Sequence, residues 1–235
     1  MYVQGKRVRK NIPTLPEANG PEGQTGDHPD KVKKALFIGE STIAGLGVDT
    51  HQKGIAGQFA LEFSKLQDCT ISWKVYAKSG YTAKLVTRKL LPQIKENNVD
   101  LILVGLGGND TFTMNSKWAR DIKLFLKTIR EKFPYCPLVF IHLPPVGEFP
   151  ALPGVLRYCL DNHMNILRQQ LIDIVKEKSN CYFISDKIIL QDWSGKYGLE
   201  NKPELYFSDG VHPSQLTYQV WARSVAEYID TQNIL

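Results

Sequence analysis

The 235-residue sequence contains only four cysteines, and their spacing fits neither a zinc site nor a disulfide framework. No apolar segment is long enough to cross a bilayer, and the apolar core of a signal peptide is missing near the start. The net charge of +5 is too small for a dedicated nucleic-acid binder. We therefore expect a soluble, cytoplasmic chain with no nucleic-acid partner. If an export signal or anchor precedes it, we expect a periplasmic or membrane-anchored location.

Motifs for phosphate and metal binding are also missing. Residues 39–45 lack the lysine and the glycine spacing of a P-loop, and residues 105–108 lack the third glycine of a dinucleotide-binding fingerprint. The acidic residues form no recognisable metal-binding cluster. We therefore expect no metal and no cofactor.

Short apolar runs alternate with helical patterns along most of the chain, whose composition is 43% hydrophobic and 23% charged. Helices are predicted to begin near residues 55, 81, 118, 156 and 215, whereas residues 185–208 carry no regular pattern. This alternation predicts an α/β fold in which a parallel sheet is covered by helices on both faces. The predicted strands are residues 35–38, 72–77, 101–104, 138–143 and 181–184.

The first 30 residues differ from the rest in composition. They are rich in glycine, proline and charge, and we call them the N-terminal arm (residues 1–30). The arm is predicted to be extended, either packed over the domain of residues 31–235 or partly disordered. Its basic cluster indicates either a solvated tail or weak association with a membrane surface, and no pattern indicates an oligomeric state. The cluster consists of Lys6, Arg7, Arg9 and Lys10.

Ser41 follows the first predicted strand, which stops at Gly39. Ligands of parallel sheets bind outside the carboxyl ends of the strands, so Ser41 is expected at the ligand-binding edge. A hydroxyl is a weak nucleophile at neutral pH. Ser41 can therefore act as a nucleophile only if the chain also supplies a base.

His212 is the best candidate for that base among five histidines. Asp209 precedes it by three residues, in a loop bounded by Gly210 and Pro213. Such a turn can direct a carboxylate at one ring nitrogen while the other nitrogen faces a serine. The alternative is that Asp209 only closes a turn and that His212 is exposed.

Asn109 is a candidate oxyanion donor, because it follows two glycines after a buried strand. The backbone N–H groups of Gly80 and Ser41, at neighbouring strand ends, can add two further donors. The alternative is that Asn109 and Asp110 form a turn and cap the next helix.

Four motifs in order resemble the blocks of the SGNH, or GDSL, hydrolases. They are the Gly39-Glu40-Ser41 segment, Gly80, the segment 107–110 that contains Asn109, and the segment 209–212 that ends at His212. The run from Gly39 to Gly47 is similar to a bacterial subgroup of esterases and lipases linked to acyl-chain and N-acyl amino-acid metabolism.

The resemblance implies a flavodoxin-like, three-layer α/β/α sandwich that hydrolyses small-molecule esters or thioesters without a metal. It implies that Ser41 is the nucleophile, His212 the base and Asp209 its orienting partner. Ser41, Gly80 and Asn109 would then form the oxyanion hole.

Two positions depart from the family pattern, in which aspartate precedes the serine and leucine follows it. Here these positions are Glu40 and Thr42. Glutamate keeps the charge but adds a methylene, which leaves the hydrogen bonds of this carboxylate open.

The substrate is less constrained than the chemistry. A serine esterase acting on lipid-like or short acyl esters is the leading hypothesis, and an acyl thioesterase, a carbohydrate acetylesterase or a non-catalytic binding protein are the alternatives. Five residues can line an apolar acyl pocket or lid, or can simply pack against helices. They are Phe112, Met114, Val146, Phe149 and Leu152.

Overall fold

A six-stranded sheet lies at the centre of the protein, which a computed structural model describes for residues 15–235. The strands lie in the order β1-β3-β2-β4-β5-β6, and all adjacent pairs are parallel except β1 with β3. The parallel strands follow the flavodoxin-like order, which confirms the predicted fold class. The antiparallel edge strand β1 was not predicted. The strands are β1 (Glu22–Thr25), β2 (Val32–Gly39), β3 (Thr70–Ala77), β4 (Leu101–Gly105), β5 (Leu138–Phe140) and β6 (Cys181–Phe183).

The described residues contain seven α-helices, which cover both faces of the sheet. The second is a single turn that continues as a π-helix over Val86–Leu90 and a 3₁₀ turn over Leu91–Gln93. The helices are α1 (Ile55–Gln67), α2 (Ala83–Leu85), α3 (Asn115–Lys132), α4 (Gly154–Lys176), α5 (Leu190–Tyr197), α6 (Pro203–Tyr206) and α7 (Gln215–Thr231). None of the helices in residues 15–235 is long and apolar enough to cross a membrane.

The sheet separates two apolar cores. Alternate side chains of β2 point to opposite faces, so Ile38 packs in the core that contains Trp118 of α3, while Phe37 packs with Phe59 of α1. Trp221 of α7 belongs to the second core. Because both faces are covered, β2 and β4 are apolar at nearly every position near their carboxyl ends.

The segment predicted to be irregular contains α5 and α6, so this prediction was wrong. Helix α5 has eight residues, includes Gly195 and starts without a side-chain cap. Its stability comes from the burial of Leu190 and Trp193, a tertiary contact that a short sequence window does not reveal. Strand β5 also ends at Phe140, three residues before the predicted end.

The N-terminal arm is only partly described. The basic cluster Lys6, Arg7, Arg9 and Lys10 lies outside the described residues. Strand β1 of the arm pairs with β3, and Glu22 lies opposite Lys74. This part of the arm is therefore extended and packed against the sheet.

Glycines bring the carboxyl ends of β2 and β4 unusually close together. Gly39 pairs with Gly105 across the two strands. A Cβ atom at Gly39 would overlap the Gly105 carbonyl oxygen and would lie 2.5 Å from Cγ1 of Ile43. The residues that follow both strands consequently lie side by side.

We expect Gly39→Ala to lower the free energy of unfolding by about 1–3 kcal/mol, because the overlapping atom is backbone and cannot rotate away. Urea unfolding measures this change. Gly195→Ala is the control, because that exposed helical site has open space around it and alanine should add roughly 0.5–1 kcal/mol. Equal effects of the two substitutions would contradict the tight approach of β2 and β4.

Candidate active site

Ser41 is the second residue after β2 and begins a turn that returns against the sheet. The Ala44 N–H donates to the Glu40 carbonyl (2.8 Å), and the Leu46 N–H donates to the Ser41 carbonyl (3.2 Å). The Ser41 N–H and hydroxyl have no hydrogen-bond partner among residues 15–235. Both groups are therefore available to a ligand at the carboxyl edge of the sheet.

Asp209 and His212 form a hydrogen-bonded pair. Asp209 Oδ2 lies 2.7 Å from His212 Nδ1, and Asp209 Oδ1 accepts from the His212 backbone N–H at 2.7 Å and from the Val211 N–H at 3.0 Å. The Asp209 side chain is 1% exposed and the His212 side chain 19%. Burial alone would raise the pKa of Asp209, but the hydrogen bonds from His212 and Val211 hold it below its ordinary value. The ionised carboxylate thus fixes the ring and leaves its Nε2 for a second partner.

Two contacts bring the His212 loop to the Ser41 turn. The Tyr218 hydroxyl of α7 donates to the Leu46 carbonyl at 2.8 Å, and Gly47 lies against the Pro213 carbonyl. Among the described residues, the Ser41 hydroxyl makes no direct hydrogen bond to the His212 ring. Such bonds often form only when substrate is present.

Gly80 lies in the turn that follows β3. Its φ of +79° is in the left-handed region, where a residue with a side chain would be strained. Its N–H has no acceptor among residues 15–235, as expected of an oxyanion donor. Gly80 is exposed at the same edge of the sheet as Ser41.

The Asn109 side chain contacts a buried carboxylate. Asn109 Nδ2 donates to Glu40 Oε2 at 2.6 Å and to the Tyr81 carbonyl at 3.1 Å. Because an amide nitrogen carries two hydrogens, both are engaged. Donation to an oxyanion therefore requires that the longer bond, to Tyr81, be exchanged.

Glu40 accepts three hydrogen bonds from one short segment. Its Oε1 accepts from the Gly108 N–H at 2.6 Å, and its Oε2 accepts from the Asn109 N–H at 2.9 Å and from the Asn109 amide. The carboxylate of the longer glutamate side chain therefore reaches the segment after β4. Burial raises the pKa of Glu40 to about 7, the hydrogen bonds from Asn109 and Gly108 oppose this rise, and the Asp110 carboxylate adds to it.

Asp110 supports the turn that contains Gly80. Its Oδ2 accepts from the Ala83 N–H at 2.9 Å, at the start of α2. Burial raises the pKa of Asp110 to about 6, although the bond from Ala83 lowers it. The alternative prediction was that Asp110 caps the helix that follows it in the chain. Asp110 does bind a helix start, but that helix is α2, which follows β3.

The other buried histidines are poor candidates for the base. Burial lowers the pKa of His51 to about 4 and that of His142 to about 3. The His142 ring accepts from the Trp221 indole N–H at 3.2 Å, which requires a neutral ring. Among the described histidines, only His212 pairs with a carboxylate whose side chain is buried.

The five predicted pocket residues are divided by their exposure. Phe112 and Met114 are 66% and 62% exposed, just after Asn109. Val146, Phe149 and Leu152 are buried in the core, as the packing alternative expected. Phe149 also lines a narrow apolar slot between the Ser41 turn and the His212 loop, together with Thr42, Phe207, Val211 and Trp221.

Sequence reasoning missed Tyr218 and the contact that Asp110 makes. Tyr218 is fully buried, and its hydroxyl reaches a carbonyl 172 residues away along the chain. No local pattern reveals such a contact. Within residues 15–235, no group of three or more histidine, cysteine or acidic side chains is placed to hold a metal ion.

The chain is similar to known proteins in both sequence pattern and fold. The model of the GDSL-like lipase/acylhydrolase family matches residues 37–220. Comparison with curated protein sequences finds no significant match. Three solved structures illustrate the similarity in fold.

The first is the lipase/acylhydrolase from Enterococcus faecalis, with 13% identity, a TM-score of 0.60 and coverage of 85% of this chain and 96% of that one. The second is the esterase EstA from Pseudoalteromonas sp., inhibited by monoethylphosphonate, with 17% identity, a TM-score of 0.59 and coverage of 86% and 97%. The third is a family two carbohydrate esterase from Clostridium thermocellum in complex with cellohexaose, with 15% identity, a TM-score of 0.59 and coverage of 88% and 67%.

We expect the raised pKa of Glu40 to make stability depend on pH. A carboxyl group with a pKa near 4.5 in the unfolded chain and about 7 in the fold stabilises the protein fully below pH 4.5, and this contribution is lost as the pH rises through 7. Urea unfolding at pH 5 and pH 8 measures the change. Glu40→Gln should remove this component and also lower the free energy of unfolding by about 1–3 kcal/mol, because its amide faces N–H donors.

Glu200→Gln is the matched control, since Glu200 is exposed and its side chain pairs only with Lys202 among residues 15–235. It should keep the pH dependence of the wild type. If Glu40→Gln and the wild type lose equal stability between pH 5 and pH 8, Glu40 does not titrate in this range.

Proposed function

Because the chain belongs to the GDSL-like lipase/acylhydrolase family, we propose that this carboxylic ester hydrolase acts through an acyl-enzyme on Ser41, with His212 as base and Asp209 as its orienting partner. The observation that carries the proposal is the buried Asp209 carboxylate, 2.7 Å from the His212 ring. The Tyr218 hydroxyl holds this loop against the turn that begins at Ser41. These contacts support the proposal, because a serine nucleophile needs a nearby base whose ring is oriented by a carboxylate.

In the first half of the reaction, the Ser41 oxygen attacks the ester carbonyl and His212 takes the hydroxyl proton. Asp209 stabilises the imidazolium that forms. The negative charge on the former carbonyl oxygen is stabilised by the N–H groups of Ser41 and Gly80 and by the Asn109 amide. The tetrahedral intermediate then releases the alcohol, which takes the proton from His212, and leaves the acyl group on Ser41.

In the second half, His212 removes a proton from water, which attacks the acyl-enzyme. The second intermediate releases the carboxylic acid, and the proton returns to Ser41. Throughout, Asn109 remains bonded to Glu40 and exchanges its weaker bond to Tyr81 for the oxyanion. The hydrogen bond that Asn109 donates is therefore stronger in the transition state, where its acceptor is an oxyanion, than in the free enzyme, where its acceptor is a neutral carbonyl.

The acyl group of the substrate rests on Phe112 and Met114. These two side chains are exposed and lie three and five residues after Asn109. In contrast, Val146 and Leu152 are buried and offer no surface to a ligand. An open apolar surface accepts acyl groups of several lengths, which favours lipid-like or short acyl esters as substrates. The same centre can hydrolyse acyl thioesters or acetylated sugars, and substrate panels distinguish these classes.

We expect a fluorophosphonate probe to label the wild-type protein and to leave Ser41→Ala unlabelled, since the probe reacts with an activated serine. The labelling rate of His212→Ala should be lower by a factor of about a thousand or more, because the base is removed. Labelling rates and ester hydrolysis are measured on the same samples.

His28→Ala is the matched control for the histidine. The His28 ring also lies near an aspartate, Asp68, at 2.9 Å, but this carboxylate is 84% exposed instead of buried. It should label at the wild-type rate. A folded wild-type protein that neither labels nor hydrolyses esters is a binding protein, and the proposed mechanism is then wrong.

We expect kcat/KM for p-nitrophenyl esters to rise from acetate to hexanoate, because each added methylene covers part of Phe112 or Met114. The gain should stay below about 0.8 kcal/mol per methylene, the value for complete burial. The double variant Phe112→Ser/Met114→Ser should show no gain with chain length. The control Tyr135→Ser should keep the gain, because Tyr135 is 81% exposed and lies before β5, away from these two residues in sequence.

Acyl-CoA and acetylated xylo-oligosaccharides with the same acyl group complete the panel. A preference for acetate with no gain from longer chains would exclude the apolar acyl site. Faster hydrolysis of acyl-CoA than of the matched ester would make the enzyme a thioesterase.

A further inference from the structure

Part of the N-terminal arm extends beyond the sheet to the candidate site. Strand β1 pairs antiparallel with β3, with Glu22 opposite Lys74, and the Val75 N–H donates to the Pro21 carbonyl at 2.7 Å. If this antiparallel register is continued beyond the two strands, Glu17 lies opposite Ser79. The arm therefore reaches the turn that follows β3.

The Glu17 carboxylate binds this turn with both of its oxygens. Its Oε1 accepts from the Ser79 N–H at 2.7 Å, and its Oε2 lies 2.9 Å from Lys78 Nζ. The Glu17 side chain is 30% exposed. A hydrogen bond from a backbone N–H to an ionised carboxylate is shorter and stronger than a neutral one.

The anchored turn is the one that directs the Gly80 N–H. The Tyr81 N–H donates to the Lys78 carbonyl at 3.2 Å, and the φ of +79° at Gly80 is the value that a type II turn requires at its third residue. The central peptide of this turn joins Ser79 to Gly80 and carries the Gly80 N–H. In a type I turn that peptide is rotated by about half a turn, so the N–H points away.

The same arm segment also holds the Ser41 turn. The Ala18 N–H donates to the Ala44 carbonyl at 2.9 Å, and Ala18 Cβ lies against Gly45. The Asn19 N–H donates to the Asp49 carbonyl at 2.9 Å. Consecutive arm residues thus connect the turns that carry two of the proposed oxyanion donors.

We propose that Glu17 is a positioning residue for the oxyanion hole: it anchors the Lys78–Ser79 peptide and thereby keeps the next peptide, Ser79–Gly80, with its N–H directed at the substrate. The inference rests on the proposed role of Gly80 and deepens it. Glu17 precedes residues 37–220, the region matched by the family model, so it supplements the family domain from outside. The effect should appear in kcat more than in KM, because the oxyanion forms only after binding.

The test compares Glu17→Ala, Glu17→Gln and the matched control Glu22→Ala. Glu22 lies on the same arm and pairs with Lys74, away from the turn. Initial rates with a p-nitrophenyl ester are divided by the number of active sites titrated with a phosphonate, so that unfolded protein does not count. The thermal unfolding midpoint of each variant is measured in parallel.

We expect Glu17→Ala to lower kcat at least about ten-fold and to keep KM within two-fold of the wild type. This loss is smaller than that expected for removing a whole oxyanion donor, because the Gly80 N–H is displaced but still present. Glu17→Gln keeps an acceptor oxygen for Ser79 and should remain within about three-fold of the wild type. Glu22→Ala should match the wild type. In the background of Gly80→Ala, Glu17→Ala should add less than about two-fold, because both act through one N–H.

The inference is wrong if the titrated kcat of Glu17→Ala equals that of Glu22→Ala, or if the effects of Glu17→Ala and Gly80→Ala multiply. A rise in KM alone also contradicts it. Failure of the proposed function has a different signature, because either the folded wild type would then hydrolyse no ester, or Ser41→Ala would keep the hydrolytic activity of the wild type. A protein that loses activity in Ser41→Ala but not in Glu17→Ala keeps its proposed function and loses only the role of Glu17.

Discussion

One buried carboxylate connects the two central turns of the site. Glu40 accepts three hydrogen bonds from Gly108 and Asn109, which lie 68 and 69 residues further along the chain. It also precedes Ser41, so any shift of the Asn109 segment is transmitted to the Ser41 turn. A carboxylate taken out of water is costly, and these three hydrogen bonds offset only part of that cost, as the raised pKa of Glu40 shows. Glu40 therefore connects the two turns directly.

Much of the fold could be predicted because its signals are local. The apolar runs of β2 and β4 and the glycines that follow them are read directly from the sequence, and parallel order follows from the alternation of strands and helices. The pairing of Asp209 with His212 is also local, since only three residues separate them. The structure brings both to the same edge of the sheet as Ser41.

The remaining features depend on contacts between distant segments. The sequence does not show that Asn109 Nδ2 is bonded to Glu40 and Tyr81, because the direction of a side chain depends on its neighbours in space. The same reason separates exposed Phe112 from buried Leu152, which are equally apolar. Glu17 reaches Ser79 only through the register between β1 and β3, and a charged residue in a polar segment gives no sign of that pairing.

Strand β1 also determines how the sheet meets other molecules. Without it, β3 would present a long row of unpaired N–H and C=O groups, the kind of edge that recruits strands from other copies and starts aggregation. The four residues of β1 pair with residues 71–74 of β3, and the opposite edge, β6, has only three residues. Both borders of the sheet are therefore short, so the arm limits the edge on which another copy of the chain could add a strand.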